Sequence, residues 1–207
     1  MTDLVRKQIA DTLAVLQAVS HDHTLHHTLA AAAQATADAM LAGKKLMVAG
    51  NGGSAADSQH LVAEFVSRLV ENRPAMRAIA LTVDSSILTA IGNDYGYDLS
   101  FRRQVEALGL KGDVFMGIST SGNSPNVLRA LELCRDLGIT TIGLSGNGGG
   151  RMKALCDFNV IIPSNVTMNI QEAHLMLEHI YCLMTENCYF GRSRYEALAA
   201  SLGGGAL

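Results

Sequence analysis

Apolar residues recur at helical spacing over residues 2–19 and again over roughly 22–42, both rich in alanine and leucine, and this predicts two opening helices. The pattern then changes to short apolar or β-branched runs. "KLMVAG" ends at Gly50, "AIALTV" at Val83, "DVFMGIS" at Ser119, "TTIGLS" at Ser145 and "FNVIIP" at Pro163. Helical periodicity separates them, over 54–70, 85–92, 98–108, 124–137 and a short stretch near 150–156, and a last helix covers about 169–190. Strands that are apolar without alternation are covered on both faces. Their alternation with helices predicts a doubly wound, mainly parallel five-stranded sheet flanked by helices, with right-handed crossovers and an N-terminal helical arm.

No linker divides the chain. The expected division is 1–42 as helices packing on the domain or oligomer, 43–192 as the α/β domain and 193–207 as a mobile tail, one domain overall. About half of the 207 residues are apolar, enough to bury a real core. The net charge of −3 and the scattered lysines and arginines favour neither nucleic acid nor an anionic membrane surface as partner. No apolar run approaches the ~20 residues of a membrane span, and the amphipathic N-terminus lacks a signal-peptide core. Cys134, Cys156, Cys182 and Cys188 form no C-x-x-C pair, so buried thiols in a reducing cytoplasm are expected.

In sheets of this kind ligands gather outside the carboxyl ends of the strands. That rule singles out "GNGGSAAD" after the first strand, "GISTSGNS" after the third, and "IGNDYGY". In "STSGNSP", Ser124 is a natural N-cap and Pro125 a natural first helical residue. The free amides of that helix carry the positive end of its dipole, and Gly122 permits a close backbone approach. Hydroxyls of Ser119, Thr120, Ser121 and Ser124 complete a neutral cup of donors suited to a phosphate dianion. A capped turn without a ligand is the plainer alternative, but one cap needs one hydroxyl, not four. "GNGGSAAD" matches the dinucleotide pattern only loosely, and no G-x-x-x-x-G-K-[ST] sequence is present. Asn51 and Ser54 there can hydrogen-bond a polar ligand. The glycine-rich "GNGGG" at 146–150 is read as a plain loop.

His60 and Glu64 stand at i and i+4 on the helix after "GNGGSAAD" and share a face. Such a pair can bind a divalent metal, share a proton, or simply satisfy itself in an apolar helix. The last helix carries Gln171, Glu172, His174, Glu178 and His179 among apolar residues. Glu172 and Glu178 are most simply solvated charges, and His174 or His179 could each be a core histidine. Gln171 and His179 are separated by ~12 Å along a continuous helix, so one ligand meets both only at the limit of their reach. Two chains, or a helix that begins late, would ease that, and a site at a subunit interface is expected. "HDHTLHH" at 21–27 is read as a solvent-facing cluster.

"GNGGSAADSQH", "ENRPAMRAIAL", "AIGNDYGY", "GDVFMGISTSGNSPNV" and "IQEAHLMLEHI" together resemble the phosphoheptose isomerases, a branch of the sugar-isomerase (SIS) fold. The resemblance runs to about residue 190. It implies that Asn51, Gly52, Gly53, Asn93 and Asp94 touch the sugar, with Glu64 and Gln171 also at the substrate. It implies that Ser119, Thr120, Ser121 and Ser124 bind the phosphate. It places one zinc ion per site among His60, Glu64, Gln171 and His179, and makes Glu64 and His179 the acid–base pair. It further implies a cytoplasmic homotetramer that converts sedoheptulose 7-phosphate to D-glycero-D-manno-heptose 7-phosphate for surface polysaccharide. Other members of the fold act as replication-initiator adaptors, sugar-phosphate sensors or isomerases of other sugar phosphates. Adaptors and sensors keep the phosphate loop without an acid–base pair, so His60, Glu64 and His179 argue against them here. Asn169 stands where relatives carry the arginine of "RIQE", which changes the charge at the rim of the site.

Overall fold

The computed structural model describes residues 1–191, so the expected tail at 193–207 lies outside the described residues. Two long helices open the chain, α1 (Thr2–His21) and α2 (His23–Leu41). Asp22 breaks them apart and caps the second, its Oδ1 accepting from the Leu25 amide. Five strands follow: β1 (Leu46–Gly50), β2 (Ala78–Ala80), β3 (Val114–Ser119), β4 (Thr140–Ser145) and β5 (Phe158–Ile161). They form one sheet in the order β2-β1-β3-β4-β5, every pair parallel. Between and after them lie α3 (Gly53–Val66), α4 (Ser85–Asp94), α5 (Arg102–Leu108), α6 (Pro125–Leu137) and α7 (Thr167–Phe190). This is the expected doubly wound architecture with its helical arm.

Alternate strand residues feed two separate cores. Leu46 and Val48 of β1 pack with α1, α2, α3 and α7, whereas Met47 and Ala49 pack with α5 and α6. Both sets are fully buried, which is why β1 is apolar without alternation. The order 2-1-3-4-5 reverses direction between β1 and β3, and the crevice outside their carboxyl ends is where such sheets bind ligands. The chain leaving that crevice enters α3 on one face and α6 on the other.

Four elements differ from the sequence pattern. Helix α3 stops at Val66 although Leu69 and Val70 continue the apolar period, because the Arg73 guanidinium takes the carbonyls of Glu64 and Phe65. Strand β2 ends at Ala80 rather than Val83, because the Leu81 carbonyl is taken by Gln104 Nε2 at 2.9 Å. The predicted helix over 98–108 is a 3₁₀ turn at Tyr97–Leu99 followed by α5. The stretch near 150–156 belongs to a 3₁₀ segment, Asn147–Ala154, interrupted by the positive φ angles of Gly148, Gly149 and Gly150. All four cysteines are free thiols, Cys134 and Cys182 buried and Cys156 and Cys188 half-buried.

Candidate functional site

The loop after β3 has the shape expected of an anion cup. Ser124 occupies the N-cap of α6 and Pro125 its first turn, yet the Ser124 hydroxyl makes no cap bond. It pairs instead with the Ser119 hydroxyl at 2.8 Å, and Ser121 Oγ lies 3.4 Å from the same oxygen. The cap of Val127 comes from the Asn126 side chain. The hydroxyls are thus gathered on one another rather than spent on the helix end. The loop is held from behind by the glycine-rich segment, which is more than a plain turn. Met152 N–H donates to the Gly122 carbonyl, Gly146 N–H to Thr120 and Arg151 N–H to the Asn123 side chain. A side chain at Gly122, whose φ is +64°, would stand 2.2 Å from the Gly149 carbonyl oxygen. The two backbones interlock where only glycine fits.

Across the crevice, Asn51 exchanges amide hydrogen bonds with Asn126 at 2.8 and 2.9 Å, and Tyr97 donates to its Oδ1 at 2.9 Å. Its side chain ties the β1 loop to the start of α6. Gly52 is the N-cap of α3. Gly53 makes room for Gln171: a Cβ there would lie 2.0 Å from Gln171 Nε2. Gln171 also hydrogen-bonds Asp57, one turn along α3. Asn93 and Asp94 are exposed at the end of α4, and Asn93 Nδ2 donates to Asp94 Oδ1.

Helix α7 lies along α3, with Gln171 facing Gly53 and His179 facing His60. The helix begins four residues before Gln171, so a late start does not shorten the separation from His179. His60 Nε2 and His179 Nε2 are 2.8 Å apart, and Glu64 Oε1 is 3.7 Å from His60 Nε2. Two imidazole nitrogens this close either share one N–H or turn both lone pairs on a cation. Ligand atoms of all three residues lie within 4.8 Å of one another. Tetrahedral zinc with bonds of ~2.0–2.1 Å needs donors about 3.3 Å apart, and nitrogen and carboxylate donors are its usual partners. The set therefore fits a divalent metal of that kind.

Beneath this cluster the helix pair buries several titratable groups. Glu178, expected in solvent, is fully buried instead, because the turn that brings His179 to α3 brings its neighbour inward too. Burial, and then the charge of Asp57, pushes its carboxyl up to about 8. Burial likewise raises Asp57, against the hydrogen bond from Gln171. His174 is a core histidine with Nε2 3.2 Å from the Ser145 carbonyl, and burial drives it down to about 4. Glu172 is exposed and accepts from Thr12. Sequence reasoning missed Asp57, Tyr97 and Asn126. Asp57 had a signal, standing three and seven residues before His60 and Glu64 on one helical face; the other two depend on tertiary contact.

Comparison with known proteins agrees with this geometry. The SIS domain family model matches residues 9–146. The chain is 50% identical over 192 residues to phosphoheptose isomerase 2 of Campylobacter jejuni, covering 93% of this chain and 96% of the relative. It is 46% identical over 190 residues to the phosphoheptose isomerase of Aneurinibacillus thermoaerophilus, covering 92% and 96%. The solved phosphoheptose isomerase of Neisseria gonorrhoeae superposes with a TM-score of 0.83 at 37% identity, covering 92% of this chain and 99% of that one. The corresponding structure from Francisella tularensis gives 0.86 at 33%, covering 90% and 98%. With its sheet order, its hydroxyl loop and its histidine–carboxylate cluster in place, this chain belongs to the SIS-domain family and, within it, to the phosphoheptose isomerases.

Proposed function

We propose that the chain converts sedoheptulose 7-phosphate to D-glycero-D-manno-heptose 7-phosphate, a precursor of surface-polysaccharide heptose. Glu64 removes a proton from C1 of the ketose while His179 delivers one to the carbonyl oxygen, giving a cis-enediol. Glu64 then returns its proton to C2 and His179 recovers one from O1, so the aldose forms with no net proton change. The hydroxyls of Ser119, Thr120, Ser121 and Ser124, with the start of α6, hold the phosphate. Asn51, Gly52, Gly53, Asn93 and Asp94 line the sugar. Asn51 does so with its side chain already engaged by Asn126, which leaves its backbone as the contact. Zinc held by His60, Glu64 and His179, with Gln171 contributed by a second chain, would polarise the carbonyl. A carboxylate or an imidazole nitrogen that holds a dication is a poorer proton carrier, so activity measured across a zinc titration separates the two roles of Glu64 and of His179.

The observation that carries this reading is the meeting of Glu64 with the His60–His179 pair, together with the gathered hydroxyls of the loop after β3. The test is a panel of ketose phosphates assayed for aldose product with and without a chelator. Turnover of the heptulose phosphate, lost on chelation and restored by zinc, is expected. No product from any ketose phosphate in the zinc-loaded protein would reject it.

We further assign residues 1–42 as the arm and 43–192 as the catalytic unit of a cytoplasmic homotetramer. Supporting this, Leu4, Val5, Ile9 and Leu13 form an exposed apolar stripe on α1. A groove of about 370 Å³ beside it is lined by Leu16, Leu29, Met176 and Met184. No helix among the described residues is long and apolar enough to cross a membrane.

A further inference from the structure

We propose that Arg73, a residue outside the pocket, is the positioning residue that fixes α3 against α7 and thereby sets the separation of Glu64 from His179. The inference rests on the assignment of those two residues to the chemistry. Arg73 lies in the loop that leaves α3, with its side chain 1% exposed. Its Nε and Nη2 both donate to Glu186 Oε1, and Glu186 is fully buried on α7 two turns beyond His179. Nη2 also donates to the backbone carbonyl of Glu64 at 2.6 Å, and Nη1 to that of Phe65 at 2.6 Å. Longer bonds from Nη1 reach the Ser67 and Pro74 carbonyls at 3.3 and 3.2 Å.

One planar group thus grips two helices. On α3 it reaches two carbonyls of the last turn, that of Glu64 itself and that of Phe65, the second of which also accepts the Met76 N–H at 3.1 Å, at the terminus where the dipole favours a cation. On α7 it holds an anion on the same helix as His179. Sliding or turning α3 against α7 would break several of these bonds together, so the clamp resists the motions that would part Glu64 from His179. A lysine cannot replace it, because a single ammonium lacks the fork that reaches a carboxylate and two carbonyls at once.

The test uses Arg73→Lys, Glu186→Gln and Glu186→Ala in the full chain, with folding followed by thermal melts. Partners that position catalytic groups typically contribute about 10–100-fold to activity or metal affinity. Arg73→Lys is expected to lower kcat by that factor while KM for the heptulose phosphate stays within about twofold. Zinc affinity, measured by competition with a chromogenic chelator, should fall in parallel. Glu186→Gln keeps an acceptor for the Arg73 Nε–H and should recover most of what Glu186→Ala loses. Wild-type kcat and zinc affinity in Arg73→Lys, with only a lowered melting temperature, would reduce the clamp to plain stabilisation and overturn the proposal. If Arg73→Lys does not fold, Glu186→Gln and Glu186→Ala decide by the same two readouts. If the wild-type protein turns over no ketose phosphate, the functional reading falls, and zinc affinity in the same variants still judges the clamp.

Discussion

The loop at 119–124 follows β3, the contact between α3 and α7 begins just after β1, and the two are made of opposite materials. The loop holds hydroxyls, glycine and backbone, without a charged side chain. The helix pair carries Asp57, His60, Glu64, His174, Glu178 and His179, with Arg73 and Glu186 closing its far end. A neutral cup binds a phosphate, mostly dianionic at neutral pH, without itself titrating and without competing with the chemistry. A partly buried pair of helices rich in titratable groups holds and moves protons, at the expense of burying groups that prefer water. The difference teaches that binding and turnover are assigned here to separate physical devices, and each can be perturbed alone.

The strongest way to break that separation is Glu64→Gln. It should lower kcat by ~10²–10⁴ with KM little changed and an unaltered melt. A variant within tenfold of wild-type kcat would place the base elsewhere.

Second in size is a pH effect confined to the helix pair. Glu178 in the folded chain keeps its proton up to about 8, against 4.5 for the free group. Its contribution to stability is therefore whole below 4.5 and is lost as pH rises through the window to 8, amounting to roughly 3–5 kcal/mol. Glu178→Gln does not titrate, so in chelator-treated protein it should gain on wild type in urea midpoint from pH 5 to pH 8. A constant gap would show that Glu178 is ionised in the fold. The loop variants that follow should show no such slope.

On the loop side, Ser119→Ala or Ser124→Ala should each raise KM about tenfold, the worth of one hydrogen bond to a charged group, with kcat unchanged. A fall in kcat at constant KM would mean that the loop acts in the transition state, and the division between the two regions would fail. The smallest expected effect on kcat is that of Gly122→Ala, which reads stability instead. The left-handed backbone alone should cost about 1–2 kcal/mol, and the clash with the Gly149 backbone adds to it, so Tm should fall by more than a few degrees.

The same contrast governs how much the sequence discloses. The loop is a local string: four hydroxyls, a glycine and a proline between a strand and a helix point to a cup by their order alone. His60 and Glu64 are likewise visible as an i, i+4 pair. The five strands and their parallel winding follow from apolar runs that fail to alternate. What lies in contacts remote along the chain is hidden. His179 meets His60 across 119 residues, and Arg73 meets Glu186 across 113. Nothing in the string "LEH" separates a solvated Glu178 from a buried one, since both suit a long helix. The N-cap at Ser124 is legible as a position, whereas the turn of its hydroxyl toward Ser119 depends on Asn126 taking over the cap.

The reciprocal amide pair between Asn51 and Asn126 has a kinetic consequence. It spans the crevice and locks the start of α6 to the β1 loop, so the receptor for the sugar phosphate is set in advance of any encounter. Association then requires no rearrangement of these loops and should proceed as one rapid phase, linear in concentration, as in capture by a preorganised host.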